Sequence, residues 1–311
     1  MLKTIGICGG SGLVGKHLTE RLLKTGNNVV IFSRSGAKSG EEKQLSYAHW
    51  DPAQLECDVK ALGKLDAMVQ LAGAGIADKR WTTKRKKEIL DSRIDGTRFL
   101  VSQLKLNAPN CKTFVAASAI GYYGPDNKSH SPFREDAPAY DDFLGETCRA
   151  WEDESKNAYS FLRTIIFRFG IVLAKEAGAF PKFLQPVKLG AMPILGSGEQ
   201  IISWIHVDDL SEMILIALEN NNMQGIYNAV SPYPVSNKEM MQAICKEKGG
   251  LSIPFHVPTF LLKAILGEMS IEVLKSCTVS AEKILSTGFS FQYPVIDKAV
   301  RDLVRPNATQ A

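Results

Sequence analysis

Cys8-Gly9-Gly10-Ser11-Gly12-Leu13-Val14-Gly15 decides how this chain is read. The apolar run Thr4-Ile5-Gly6-Ile7-Cys8 before it is short enough for a buried parallel strand. After it, Val14, Leu18 and Leu22 recur every fourth residue and predict one face of a helix. Lys24-Thr25-Gly26 ends that pattern with a basic last turn and a glycine stop. Strand, glycine turn and helix in this order give the motif its meaning. Glycines remove side chains where the backbone turns tightly and approaches a pyrophosphate. The helix N-terminus then offers unpaired N–H groups and roughly half a positive charge to phosphate oxygens. The motif therefore predicts a dinucleotide site with contacts from Gly9, Ser11, Gly12, Leu13, Val14 and Gly15. The alternative is a purely structural glycine turn.

The next segment bears on which dinucleotide. Val29-Val30-Ile31-Phe32 reads as the second strand, followed by Ser33-Arg34-Ser35 and, beyond them, Lys38. A site selective for NAD usually places an acidic residue here, on the ribose 2′-OH. A guanidinium instead suits a 2′-phosphate, which a carboxylate would repel. Ser33 and Arg34 thus point to NADP, against the alternative of a solvated loop arginine. Leu45–Trp50 predicts a third strand, which carries Asp51 either to the adenine side or into a simple Asp-Pro turn. Leu65–Leu71 predicts the fourth, running into Ala72-Gly73-Ala74-Gly75. In an open parallel sheet, small residues at that edge let a ligand lie against the backbone, so Leu71, Ala72 and Gly73 join the cofactor set.

The whole chain fits one large α/β unit or a core with a smaller appendage: 311 residues, 45% hydrophobic, with a mean hydropathy of −0.07. A net charge of +4, from 37 basic and 33 acidic residues, is too balanced to imply nucleic acid. The most basic stretch, Asp78–Lys87, is answered by Glu88, Asp91 and Asp95, so Lys84 to Lys87 read as a solvated helix face. The six cysteines are scattered without metal-ligand spacing and suit a reduced, cytoplasmic protein with no metal. No apolar run approaches the ~18 residues of a membrane span, and no leader sequence is evident. Asn307-Ala308-Thr309 matches a glycosylation sequon that a cytoplasmic tail would not present.

Thr113–Ser118 predicts the fifth strand, ending in Ala119-Ile120-Gly121-Tyr122-Tyr123-Gly124. The glycine turn, Leu71-Ala72-Gly73, Gly96-Thr97 and a strand ending in serine before Tyr123-Gly124 resemble the extended short-chain dehydrogenase/reductase superfamily. More narrowly, Ala77-Asp78-Lys79-Arg80-Trp81, Gly196-Ser197-Gly198 and Ser203-Trp204-Ile205-His206 are similar to its branch of NADP-dependent nucleotide-sugar epimerase-like proteins. So are Leu266-Gly267-Glu268-Met269 and Gly288-Phe289-Ser290-Phe291. The resemblance spans essentially the full length and implies a doubly wound parallel sheet, a Rossmann fold, with an added C-terminal helical segment. It implies a small polar carbonyl compound or a nucleotide-sugar as substrate.

One part of that pattern is missing. The superfamily uses a Tyr-x-x-x-Lys pair with a serine or threonine; the i, i+4 spacing puts both on one helical face. There the lysine lowers a phenol pKa normally near ~10. None of the eight tyrosines has a lysine four residues later; the nearest approach is Tyr159 with Arg163. If Phe143 stands at the tyrosine position, Thr147 stands at that of the lysine, and the usual hydroxyl falls on Ala119, beside Ser118. The remaining proton donors after the fifth strand are Ser118, Tyr122 and Tyr123, the candidate catalytic residues. Ser118 and Arg93 also join the cofactor set, and Arg80, Trp81 and Trp204 are the candidate substrate contacts.

The sixth strand, Thr164–Leu173, contains Arg168, which needs a partner if buried. Residues 1–173 thus form the expected NADP-binding part. Residues 174–311 form a mainly helical, substrate-side part, with strands near 201–207 and 225–230 returning to the core. Ala174–Gly198 reads as a glycine- and proline-rich loop lining the cleft. Asp209 with Glu212, and Ser236 with Glu239, have the spacing of capping boxes. His206 reads as a satisfied, partly buried side chain or a catalyst. The expected protein is a monomer or homodimer acting on a small molecule: an oxidoreductase or epimerase, or else a non-catalytic NADP(H) sensor or scaffold.

Overall fold

The computed structural model describes residues 2–35, 44–127 and 131–305. Lys38 and the Asn307 sequon lie outside them. Thr4–Cys8 forms β1, and the glycine turn hands the chain to α1 (Leu13–Lys24). There follow β2 (Asn28–Ser33), β3 (Leu45–Asp51), a short β4 (Glu56–Cys57), α2 (Val59–Leu62), β5 (Ala67–Gln70) and the long α3 (Thr83–Asn107). Then come β6 (Thr113–Ala119), α4 (Phe143–Lys156), β7 (Arg163–Phe169) and β8 (Ile171–Leu173). The later chain adds α5 (Phe180–Lys188), β9 (Ala191–Leu195), β10 (Ile201–Ile202), β11 (Trp204–His206), α6 (Val207–Glu219) and β12 (Gly225–Ala229). It closes with β13 (Val235–Ser236), α7 (Asn237–Lys248), β14 (Ile253–Val257), α8 (Thr259–Leu266), α9 (Ser270–Leu274), α10 (Glu282–Leu285) and α11 (Ile296–Val304).

One sheet runs β12-β7-β6-β5-β1-β2-β3-β4, and every neighbouring pair is parallel except β3 with β4. Its central strands β1, β2, β5 and β6 are almost continuously buried because both faces are covered. Ile5 and Ile7 of β1 pack with Leu18 and Leu22 of α1 and with Leu210 and Met213 of α6. On the opposite face Cys8 and Phe114 meet Leu100 and Leu104 of α3. Strand order reverses between β1 and β5, which leaves a crevice at their C-terminal ends where a ligand fits. Gly9 and Ala72 face each other across that crevice: a Cβ on Gly9 would lie 2.7 Å from Ala72 N.

Beyond position 173 the sequence reading needs correcting in three places. Ala174–Gly198 is not one loop; it holds α5 and β9, and β9 pairs in parallel with β14. The stretch 201–207 breaks at Ser203, which donates to Cys277 O (2.8 Å) and accepts from Val279 N (3.0 Å). Its second half, β11, pairs with β8 in a separate two-stranded sheet, whereas β12 forms the edge of the main sheet. Asp209 caps nothing in its own helix. It is 2% exposed and accepts the backbone N–H groups of Gln292 (2.7 Å) and Tyr293 (2.9 Å), tying α6 to the C-terminal segment. Glu212 pairs with Arg21, and the cap of α6 is His206, whose Nδ1 accepts from Asp208 N. The Ser236–Glu239 capping box forms as read. No described helix is long and apolar enough to cross a membrane.

Candidate active site

The N-terminal N–H groups of α1 are free for a ligand, because Gly12 caps the helix without a side chain. The turn closes tightly: Gly12 N donates to Gly9 O at 3.0 Å, and a Cβ on Gly15 would fall 2.3 Å from Gly9 O. From here an open cleft of about 2050 Å³ runs along the switch point. Gly9, Ser11, Gly12, Ser33, Arg34, Asp51, Leu71, Ala72 and Gly73 all line it, so the structure gathers these candidates from four separate segments. Asp51 combines its two readings: it lines the cleft and also accepts Ala53 N at 3.0 Å, making the turn. Leu13 and Val14 occupy the first turn of α1; Gly178 lies against Leu13, and Val14 packs on the core.

Arg93 sits behind this wall. It is 8% exposed, donates to Ala74 O (2.9 Å) and Ile89 O (3.1 Å), and lies over the Trp151 ring. Its part is to fix the loop after β5 from within α3. Arg85 does the same by donating to Gly75 O and pairing with Asp78 (3.4 Å) and Glu88 (2.7 Å). The run Lys84 to Lys87 is therefore not a uniformly solvated face: Arg85 is buried, and Lys86 pairs with Glu268. In this run Arg85 is the buried member, and only its tertiary partners reveal it.

Two of the three proposed proton donors are held elsewhere. Ser118 is 2% exposed and donates to Glu152 at 2.7 Å. Arg168 grips the same carboxylate with two bonds of 2.7 and 2.8 Å. It also donates to the Tyr123 hydroxyl (2.8 Å), which donates to Asn228 (2.6 Å). Burial pushes the Tyr123 phenol well above its ordinary range. Ser118 and Tyr123 are thus members of a closed, buried network. Tyr122 keeps part of its surface exposed, with the Arg168 guanidinium 3.5 Å from its ring centre. Phe143 takes the first position of α4, and Thr147 donates back to Phe143 O at 2.6 Å. The Phe143 ring meets the Trp81 edge at 5.2 Å, with Lys86 above it.

Trp81 is anchored by its indole N–H on Ile76 O (3.0 Å), and Arg80 beside it is exposed. Trp204 is not a wall of the cleft. It is fully buried among α5, α7 and α11 side chains, and its N–H is taken by Tyr233 O at 3.1 Å. His206 is also fully buried. Its Nδ1 accepts a backbone N–H, so in the neutral ring Nε2 carries the proton; it lies 3.5 Å from an Asp302 oxygen without forming a hydrogen bond. Sequence reasoning identified Arg168 as needing a partner; Glu152, sixteen residues upstream, carries no local mark of that role.

The sheet order, the glycine turn and the cleft together define a dinucleotide-binding α/β protein of the short-chain dehydrogenase/reductase type. Residues 5–229 match the NAD dependent epimerase/dehydratase family, and residues 257–303 match a domain of unknown function. The chain belongs to this epimerase/dehydratase family. It is 36% identical to the epimerase family protein YfhF of Bacillus subtilis over 98% of this chain and 99% of that protein. It is 34% identical to the chloroplastic SDR39U1 homologue of Arabidopsis thaliana, covering 97% of this chain and 87% of the relative. Among solved structures, human epimerase family protein SDR39U1 with NADPH superposes with a TM-score of 0.85 at 28% identity, covering 98% of this chain and all of that one.

Proposed function

We propose that the protein is an NADP-dependent oxidoreductase or epimerase-like enzyme acting on a small polar carbonyl compound or nucleotide-sugar. The observation that carries this reading is the single cleft joining the free N-terminus of α1 to Arg34. The residues present fit the cofactor: the turn has no room for a side chain at Gly9 or Gly15, and a cation rather than a carboxylate follows β2. The α1 N-terminus and Gly12 would hold the pyrophosphate, Arg34 with Ser33 the 2′-phosphate, and Leu71–Gly73 the face of the nucleoside. NADPH bound there supplies hydride. The chain supplies position and proton handling, and Tyr122 is the phenol left to exchange a proton beside β6. Human SDR39U1, solved with NADPH, supports the choice of cofactor. Residues 1–173 carry the cofactor and 174–311 the substrate side, in a cytoplasmic monomer or homodimer.

A second reading, a non-catalytic NADP(H) sensor, is favoured by one observation: Ser118 and Tyr123 are locked in a buried network. The test is to mix purified protein with NADPH and a panel of carbonyl compounds and follow loss of the reduced nicotinamide. Turnover that falls in Tyr122→Phe supports the enzyme. Tight NADPH binding without oxidation across the panel supports the sensor.

A further inference from the structure

Where the loop after β5 meets the turn after α8, the structure builds a seat for one guanidinium. Gly267 holds φ at 63° and ψ at −137°, a conformation that favours glycine. A Cβ there would lie 2.7 Å from Nε of Arg80 and 3.0 Å from one terminal nitrogen, so the guanidinium rests against bare backbone. The adjacent Glu268 carboxylate does not neutralise it, because Lys86 takes that carboxylate. Asp78, two residues before Arg80, is turned toward Gly75 and Arg85. Among the described residues Arg80 therefore has a fixed floor and no carboxylate partner. Its neighbours Lys79 and Lys84 are exposed and add positive charge. Trp81, its neighbour in the chain, meets the Phe143 ring at the start of α4. An exposed arginine ordinarily loses rotamer freedom when it grips a ligand; one already resting on a fixed surface loses less.

We infer that Arg80 anchors an oxyanion, a carboxylate or phosphate, carried by the substrate, and that Gly267 is a specificity residue because its missing side chain keeps the guanidinium seated. This rests on the proposed function, since it assigns the anion to the substrate rather than to the cofactor. The test is calorimetric titration of the NADP⁺-saturated protein with pyrophosphate and, separately, with succinate; saturation removes the cofactor's own phosphate positions from competition. The expected result is millimolar binding of one probe, with the better probe telling phosphate from carboxylate. Arg80→Met and Gly267→Ala each weaken it at least tenfold and leave NADP⁺ affinity unchanged. Gly267→Ala keeps Arg80 but fills its seat; should that variant not fold, Arg80→Met decides alone. Equal probe binding in Arg80→Met, or binding of neither probe to protein that does hold NADP⁺, overturns the inference. If NADP⁺ itself fails to bind, the cofactor reading falls, and the same Arg80 comparison on the free protein still judges the anion seat.

Discussion

Replacing Glu152 by Gln removes one negative charge from a place with no water to compensate. The Glu152 side chain is 0% exposed and that of Arg168 1%. Glu152 accepts three bonds, from Ser118 and from two nitrogens of Arg168, all between 2.7 and 2.8 Å. Gln keeps the volume but turns an NH₂ toward donors and strands the Arg168 charge. Breaking one side of such a pair costs about 3–5 kcal/mol, a large part of the roughly 5–15 kcal/mol that holds a domain folded. Urea unfolding followed by tryptophan fluorescence measures the loss. Replacing both partners, Glu152→Met with Arg168→Met, leaves no stranded charge and is expected to cost much less than the single change. A single variant within about 1 kcal/mol of the parent would refute the reasoning, because the pair would then be hydrated rather than buried.

Arg34→Glu should weaken NADPH binding at least tenfold, about 1.4 kcal/mol, and change NADH binding much less; equal losses would mean Arg34 does not read the 2′-phosphate. Gly15→Ala places a methyl 2.3 Å from Gly9 O and 2.6 Å from Gly10 Cα, where only backbone movement makes room. NADPH affinity should fall over a hundredfold, about 2.7 kcal/mol, by fluorescence titration. Two histidines act oppositely with pH. Burial lowers the His206 pKa, so its contribution declines as pH falls below about 6.5. The carboxylates of Asp208 (3.6 Å) and Glu176 (3.3 Å) raise that of His17, so its contribution is complete below about 6.5 and is lost as pH rises through the folded value. His17→Gln should therefore match the parent near pH 8 and be less stable near pH 5.5 in urea melts; the reverse order would contradict the assignment.

What the sequence disclosed was local. The glycine turn, the helix after it and the Ser236–Glu239 box write their geometry in adjacent residues. The lining of the cleft was legible because its residues sit at strand ends that the motif spacing marks. The other side depends on partners far apart in the chain. Asp209 carries the spacing of a cap, yet its backbone partners lie at Gln292 and Tyr293. Trp204 sits in a motif of the family but faces the core under α7 and α11. Ser118 stands one residue before the superfamily's usual hydroxyl position, and a carboxylate on α4 claims it. Lys86 reads as a surface lysine until Glu268, from the other end of the chain, meets it.

Calorimetric titration of the purified protein with NADPH and with NADH tests the central claim most directly. The account predicts micromolar binding of NADPH and at least tenfold weaker binding of NADH. No heat with either reduced or oxidised NADP at millimolar concentration would contradict it and leave the cleft an architectural inheritance.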